Sequence, residues 1–315
     1  MNQPSTSSSS SSSTHSSSPI QSVLQTFESS SLVDEVRTYD VIDAKIADND
    51  STTLSFLAEK SAQSGAAEIY CQPKGEGDHH PTISSAIAVP VHRGGQVISV
   101  AVIALKPVSF GAGVFELWEP IGPYEEVALR GGYFAHLERF SNVSSFIRFE
   151  RGSGLPGQAW ASGQAVIHDD LPNHPGFLRA AGASAGLLET AIALPVLDDD
   201  VLMTVVVLIS SKATPIARGY EVWNVLADKF VMEGAAYQGL DASLQLPRDT
   251  ELSLNAGLPG LALEHGGATI STNAQALLAG RQCDEGTDVS ETINGGLAIP
   301  TYKGETLSSV TTLMF

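Results

Sequence analysis

Two stretches of the chain, Val97–Leu105 and Val201–Ile209, are almost unbroken runs of apolar residues. They are dense in β-branched side chains: Ile98, Val100, Val102, Val205, Val206 and Val207. Each is about half of what a helix needs to cross a bilayer, so both are predicted to be buried strands. A polar turn precedes each run, His92-Arg-Gly-Gly95 in one case and Leu197-Asp-Asp-Asp200 in the other. Before each turn lies another apolar segment, Ala86-Ile-Ala-Val-Pro90-Val or Ala191-Ile-Ala-Leu-Pro195-Val. Strand, tight turn and strand predict a β-hairpin. A third copy follows in Gly296-Leu-Ala-Ile-Pro300-Thr, the turn Tyr302-Lys-Gly-Glu305 and Leu307–Phe315.

The three hairpins belong to a longer repeat. Pro90, Pro195 and Pro300 are spaced 105 residues apart, and Phe115-Glu-Leu-Trp118 recurs at the same spacing as Tyr220-Glu-Val-Trp223. A fainter copy of that motif is Tyr39-Asp-Val-Ile42. Gly154-Leu-Pro-Gly157 returns as Gly257-Leu-Pro-Gly260, and Gly163 and Ile167 return as Gly266 and Ile270. The first copy keeps only Gly65 and Ile69 of this part. Modules are therefore expected at 36–106 (truncated), 112–211 and 217–315, the last divergent in its middle. Within the second and third the expected order is two strands, a Gly-Leu-Pro-Gly turn, a short helix, a strand, an irregular or helical stretch and the hairpin. That order predicts an α+β fold, three modules each built on a mostly antiparallel sheet with a few short helices. Pro156 and Pro259 suit the first turn of a helix, where a missing N–H costs nothing. Trp160 and Leu263 are then expected to face the core one turn later. A fragment covering about 112–211 is expected to hold nearly a whole core.

Composition narrows the function. Thirty-five Asp and Glu against 17 Lys and Arg give a net charge of −18, which repels phosphate backbones and anionic headgroups. Nucleic acid and membrane surfaces are not expected partners. Residues 1–19, mostly Ser and Thr, have nothing to bury and are expected to be disordered. No basic region followed by an apolar stretch opens the chain, so a cytoplasmic location is expected. Cys71 and Cys283 can form no disulfide framework and lack the spacing of a zinc site.

The run Gly154-Leu-Pro-Gly-Gln-Ala-Trp-Ala-Ser-Gly-Gln-Ala-Val-Ile167, then Asp169-Asp170, Phe177-Leu-Arg179, Gly186-Leu187 and the Pro195 hairpin, resembles a GAF domain. Gly163 to Ile167 is one residue tighter than the family's strand pattern. The resemblance implies a sensory or regulatory fold: an antiparallel sheet of about six strands, helices on one face and a small-molecule pocket. It implies that a ligand in the middle module would meet Tyr133, Trp160, Asp169, Asp170, Phe177 and Arg179, with Arg179 suited to an anionic group. The helices that commonly flank such a sheet find no room between Leu105 and Phe115, between Ser210 and Tyr220, or after Phe315. No effector segment is recognisable, so output is expected to pass through a separate protein partner; a homodimer is compatible with this.

The members of that family that bind bilins use a positioned cysteine, and neither Cys71 nor Cys283 has the required neighbours. The pattern of the cyclic-nucleotide binders is also missing. His168-Asp-Asp170 with His174, Asp78-His79-His80 and Asp198-Asp199-Asp200 could suggest metal, but each reads as turn or loop chemistry. No cofactor and no metal are expected. A few proteins of the fold reduce methionine sulfoxide with clustered cysteines, because a thiolate attacks and a second thiol resolves; here the two cysteines lie in different modules. The reading is thus a non-enzymatic regulatory protein with a small ligand in its middle module. The alternative is a scaffold of degenerate modules whose pockets have filled with side chains.

Overall fold

The computed structural model describes residues 22–25, 32–72, 83–107, 112–281 and 293–315. The Ser-rich tail at 1–19, the Asp78-His79-His80 loop and Cys283 lie outside the described residues. The described residues form three antiparallel sheets of six strands each, with a few short helices.

The first sheet contains β1 (Ser22–Gln25), β2 (Val33–Ile42), β3 (Lys45–Ile46), β4 (Glu68–Cys71), β5 (Ser85–Arg93) and β6 (Gln96–Leu105), with helix α1 (Thr53–Ser64) between β3 and β4. The second contains β7 (Gly113–Ile121), β8 (Glu126–Tyr133), β9 (Arg148–Glu150), β10 (Val166–His168), β11 (Leu188–Asp198) and β12 (Val201–Ser211). Its helices are α2 (Glu138–Phe146), α3 (Gly154–Ser162) and α4 (Ala180–Ala185). The third repeats this with β13 (Gly219–Leu226), β14 (Lys229–Tyr237), β15 (Glu251–Ser253), α5 (Gly257–His265), β16 (Thr269–Ser271), α6 (Ala274–Leu277), β17 (Gly296–Lys303) and β18 (Thr306–Met314).

Strand order is β10-β11-β12-β7-β8-β9 in the second sheet and β16-β17-β18-β13-β14-β15 in the third. The first runs β4-β5-β6-β2-β1, with β3 paired to β2. There β1 occupies the place of β8 and β14 although it precedes its partner strand in sequence. The first sheet therefore starts upstream of residue 36, and among the described residues it has no counterpart of the short strands β9 and β15.

The three predicted hairpins are β5–β6, β11–β12 and β17–β18. Their continuous apolar character has a direct cause: both faces are buried. In β11, Ala191 and Ala193 face the helices of their own module, while Ile192, Leu194 and Val196 point the other way. In β12, Val205, Val207 and Ile209 face the helices, and Val206 and Leu208 the other side. Among the described residues no helix covers that second face. Instead the three bare faces cover one another, and Val89, Leu194 and Ile299 belong to one shared core.

The sheets meet head to tail. Strand β4 runs against β8, β10 against β14, and β16 against β1, which closes a ring of approximately threefold form. The Ala67 N–H donates to Thr204 Oγ1 at 3.1 Å across one seam, and the Ala268 N–H to Ser99 Oγ at 2.9 Å across another. The residue equivalent to Thr204 at the remaining seam, Ser309, has a buried hydroxyl without a partner. The 112–211 stretch therefore does not hold a nearly whole core. Phe115, Leu117, Ile192, Leu194, Val206 and Leu208 are packed into the shared one, because a strand apolar on both faces needs two covers.

Candidate functional site

The Gly-Leu-Pro-Gly element begins a helix in both copies. Gly154 and Gly257 take positive φ values of +59° and +70°, a left-handed conformation that favours glycine. The fourth residue of the motif is glycine for a different reason. A Cβ on Gly157 would lie 2.1 Å from the Glu150 carbonyl oxygen, and one on Gly260 would lie 2.6 Å from the Asn255 carbonyl carbon. Helix and preceding strand thus touch backbone to backbone. Leu155 and Ala159 are buried below α3, and Leu258 and Ala262 below α5. Trp160 is half-buried against the outer core of its module, with the Arg151 guanidinium 5.7 Å from its ring centre. Leu263 is 36% exposed, so the expectation that it faces the core is corrected: the helix turns its Leu258–Ala262 side inward.

The space between helices and sheet in the middle module is occupied. Trp118, Phe140, Phe149 and Phe177 are buried there, and Trp118 meets Phe149 edge-on at 4.9 Å. In their midst Glu116, fully buried, faces the Arg179 guanidinium, itself 4% exposed. Glu116 accepts from both terminal nitrogens of Arg179, one at 2.9 Å, from Trp118 Nε1 at 3.0 Å and from Ser144 Oγ at 3.1 Å. Four rings, those of Phe140, Phe177, Trp118 and Phe149, lie 4.6–5.8 Å from the Arg179 guanidinium carbon. The third module repeats the device. Glu221 accepts from Arg281 Nη2 at 2.5 Å, the Tyr237 hydroxyl at 2.8 Å, Trp223 Nε1 at 3.2 Å and Thr312 Oγ1 at 3.2 Å. The recurrence of Glu-x-Trp at a spacing of 105 was the sequence signal for this pair; the arginine that completes it lay in a stretch without a repeat motif.

The acidic loop has local partners. Asp169 accepts from the Thr190 hydroxyl at 2.5 Å. Asp170, with φ +51°, accepts from Asn173 Nδ2 at 2.9 Å, which is turn chemistry. His168 is buried, donates from Nε2 to Gln158 Oε1 at 3.0 Å, and stacks on His174 at 3.8 Å. Desolvation, with the nearby His174 adding to it, pushes the His168 imidazole down to about 4.

The six expected site residues are not brought into one cleft. Phe177 and Arg179 sit in the module interior, and Trp160 on its flank. Asp170 is in an exposed turn. Tyr133 ends β8, half-buried against the shared core. Asp169 lines a cleft of about 460 Å³ at the seam between the second and third sheets, together with His174, Glu233 and Arg248 over a floor that includes Ile167 and Val222. A second cleft, of about 520 Å³, lies at the seam between the first and second sheets and is lined by His92, Asp198 and Met203 among others.

Sheet, helices and hairpin in this order define a compact α+β domain of the kind common in sensory and regulatory proteins. Residues 121–220 match the family model for the GAF domain, so the chain carries a GAF domain in its middle third. Among solved structures it is similar to the free methionine-R-sulfoxide reductase from Neisseria meningitidis in complex with its substrate, at 24% identity and TM-score 0.23, covering 32% of this chain and 52% of that one. It is also similar to the A. aeolicus nlh2 GAF domain in an inactive state, at 14% identity and TM-score 0.25, covering 32% and 57%. A bacteriophytochrome from the photosynthetic bacterium R. palustris matches at 9% identity and TM-score 0.21, covering 79% and 70%. The chain thus spans little more than half the length of the first two. No curated protein sequence matches it. No helix among the described residues is long and apolar enough to cross a membrane.

Proposed function

We propose that the protein is a non-enzymatic regulatory protein whose output passes to a separate protein partner, and that the interior of its GAF domain is packing rather than a ligand pocket. The buried Glu116–Arg179 pair carries this reading. The arginine expected to orient an anionic ligand already has its anion inside the fold, and four aromatic rings fill the space around it. This favours the scaffold alternative for the middle module over the pocket. Catalysis by cysteine finds no support at Cys71, whose thiol desolvation pushes up, away from the thiolate that sulfoxide chemistry requires.

The test is the melting temperature of Arg179→Ala. Removing one partner of a buried pair leaves a carboxylate uncompensated and costs about 3–5 kcal/mol, a fall on the order of 10 °C. The double variant Glu116→Gln with Arg179→Met, which removes both charges, is expected to regain most of it. If Arg179→Ala melts with the wild type, the arginine supports no core and the pocket reading takes over.

A further inference from the structure

The three seams are equivalent in the fold and unequal in their bonds. Across the seam between the first and second sheets, the Ala67 N–H donates to Thr204 Oγ1, and Arg130 donates to the Ala67 carbonyl at 3.1 Å and to Glu68 at 2.9 Å. Across the seam between the third and first sheets, the Ala268 N–H donates to Ser99 Oγ. There His265 also pairs with Asp40 at 3.0 Å and Arg93 with Glu305 at 2.8 Å. The hairpin turns touch as well, the Gly94 N–H donating to the Gly304 carbonyl at 3.0 Å.

Where β10 meets β14, between the second and third sheets, these bonds have no counterpart among the described residues. Ser99, Thr204 and Ser309 are equivalent by the 105-residue spacing. Ala165 takes the place of Ala67 and Ala268, each two residues after the left-handed glycine that ends a helix. Ala165 faces the third sheet, in a small cavity with Ile299, Thr301 and Thr311. No bond joins it to Ser309, whose hydroxyl is buried without a partner and so keeps the cost of its desolvation. Strand pairing shows what stands in for Arg130. Leu129 pairs with Trp118 and Gly131 with Leu117, as Met232 pairs with Trp223 and Gly234 with Val222, so Glu233 holds the bulge position of Arg130. Val166 holds the position of Glu68, since they pair with Ala193 and Ala88. A guanidinium that donates to the strand edge is thus replaced by a carboxylate, which can only accept and cannot bridge to a carbonyl. Glu233 bonds to Asn224 within its own sheet instead, and the 460 Å³ cleft lies at this place. Among the described residues no hydrogen bond or ion pair joins 162–174 to the third sheet. The polar contact between these two sheets lies beside their connection at 212–218, where the Ser210 hydroxyl donates to Gln238 Oε1 at 2.8 Å.

We propose that this seam is a joint built into the ring: β10 and β14 part, with the connection at 212–218 as the hinge, while the other two seams stay closed. The opening is a local event at a free energy below that of global unfolding. It hydrates the Ser309 hydroxyl and turns Ile167 and Val222, now on the floor of the cleft, fully to water. It leaves the single global transition of the molecule intact and does not depend on the regulatory reading above.

The experiment is thiol labelling of Ser309→Cys in the full chain, with Cys71→Ser and Cys283→Ser removing the native thiols, by dithiobis(nitrobenzoic acid) in native buffer and in a urea series. Each rate is compared with the rate that the same variant's global unfolding permits. Ser309→Cys is expected to react at least about tenfold faster than that limit, and with a shallower urea dependence, because the opening exposes less surface than unfolding. Ser99→Cys, at the equivalent place in a seam whose ion pairs remain, is expected to react only as global unfolding allows. Adding Val166→Glu and Glu233→Arg, which transplants the Glu68–Arg130 pair, is expected to slow the labelling of Ser309→Cys at least about tenfold. The proposal is overturned if Ser309→Cys reacts no faster than global unfolding permits, if Ser99→Cys exceeds its limit equally, or if the transplanted pair leaves the rate unchanged.

Discussion

Individual residues mark the difference between packing and recognition. Arg179 and the acidic pair were legible in the sequence as candidates, yet charge alone does not reveal whether a side chain points outward or into its own fold. The partner that decides it, Glu116, lies 63 residues away in sequence. His168 offers a cleaner test of burial. Its folded-state value near 4 lies below the ordinary imidazole range of about 6.5. The unfolded chain therefore binds the extra proton first, so the stability contributed by the neutral ring is complete above about pH 6.5. It is lost as the pH falls from there through about 4. Nuclear magnetic resonance of the ring is expected to give a midpoint near 4; a midpoint near 6.5 would mean the imidazole is hydrated.

At the scale of elements, the hairpins were readable because their apolar runs are continuous and recur at a fixed spacing. The Gly-Leu-Pro-Gly helices were readable because proline and glycine have few conformational uses. Helix α2 and strand β9 were missed. The helix Glu138–Phe146 buries only Phe140 and Ser144, and its other large apolar residues, Val143 and Phe146, are exposed, so its short pattern points to no core. The strand Arg148–Glu150 is three residues long. Close backbone contact makes the second motif glycine the sensitive one. Gly157→Ala is expected to destabilise by roughly 2–4 kcal/mol, since its methyl would meet a backbone oxygen that cannot swing aside. Chemical denaturation measures this, and a loss below about 1 kcal/mol would mean that strand and helix can separate without harm.

For the whole molecule, the repeat predicts three modules but leaves open a question that sequence could not answer: what covers the second face of each sheet, where no helix lies among the described residues. The structure answers with the other two sheets. Exposing the seven large apolar side chains that the middle sheet turns inward would cost about 10–20 kcal/mol at 1.5–3 kcal/mol each, at least comparable to the whole stability of a typical domain. The closed ring follows from that arithmetic as much as from geometry, and it explains why the seams carry cross-module hydrogen bonds. Such a body is expected to unfold as one unit. Differential scanning calorimetry of the intact protein addresses this most directly. The shared core requires a single transition whose calorimetric and van't Hoff enthalpies agree; two or three resolved transitions would mean that each sheet keeps its own core and that the ring is only a loose association.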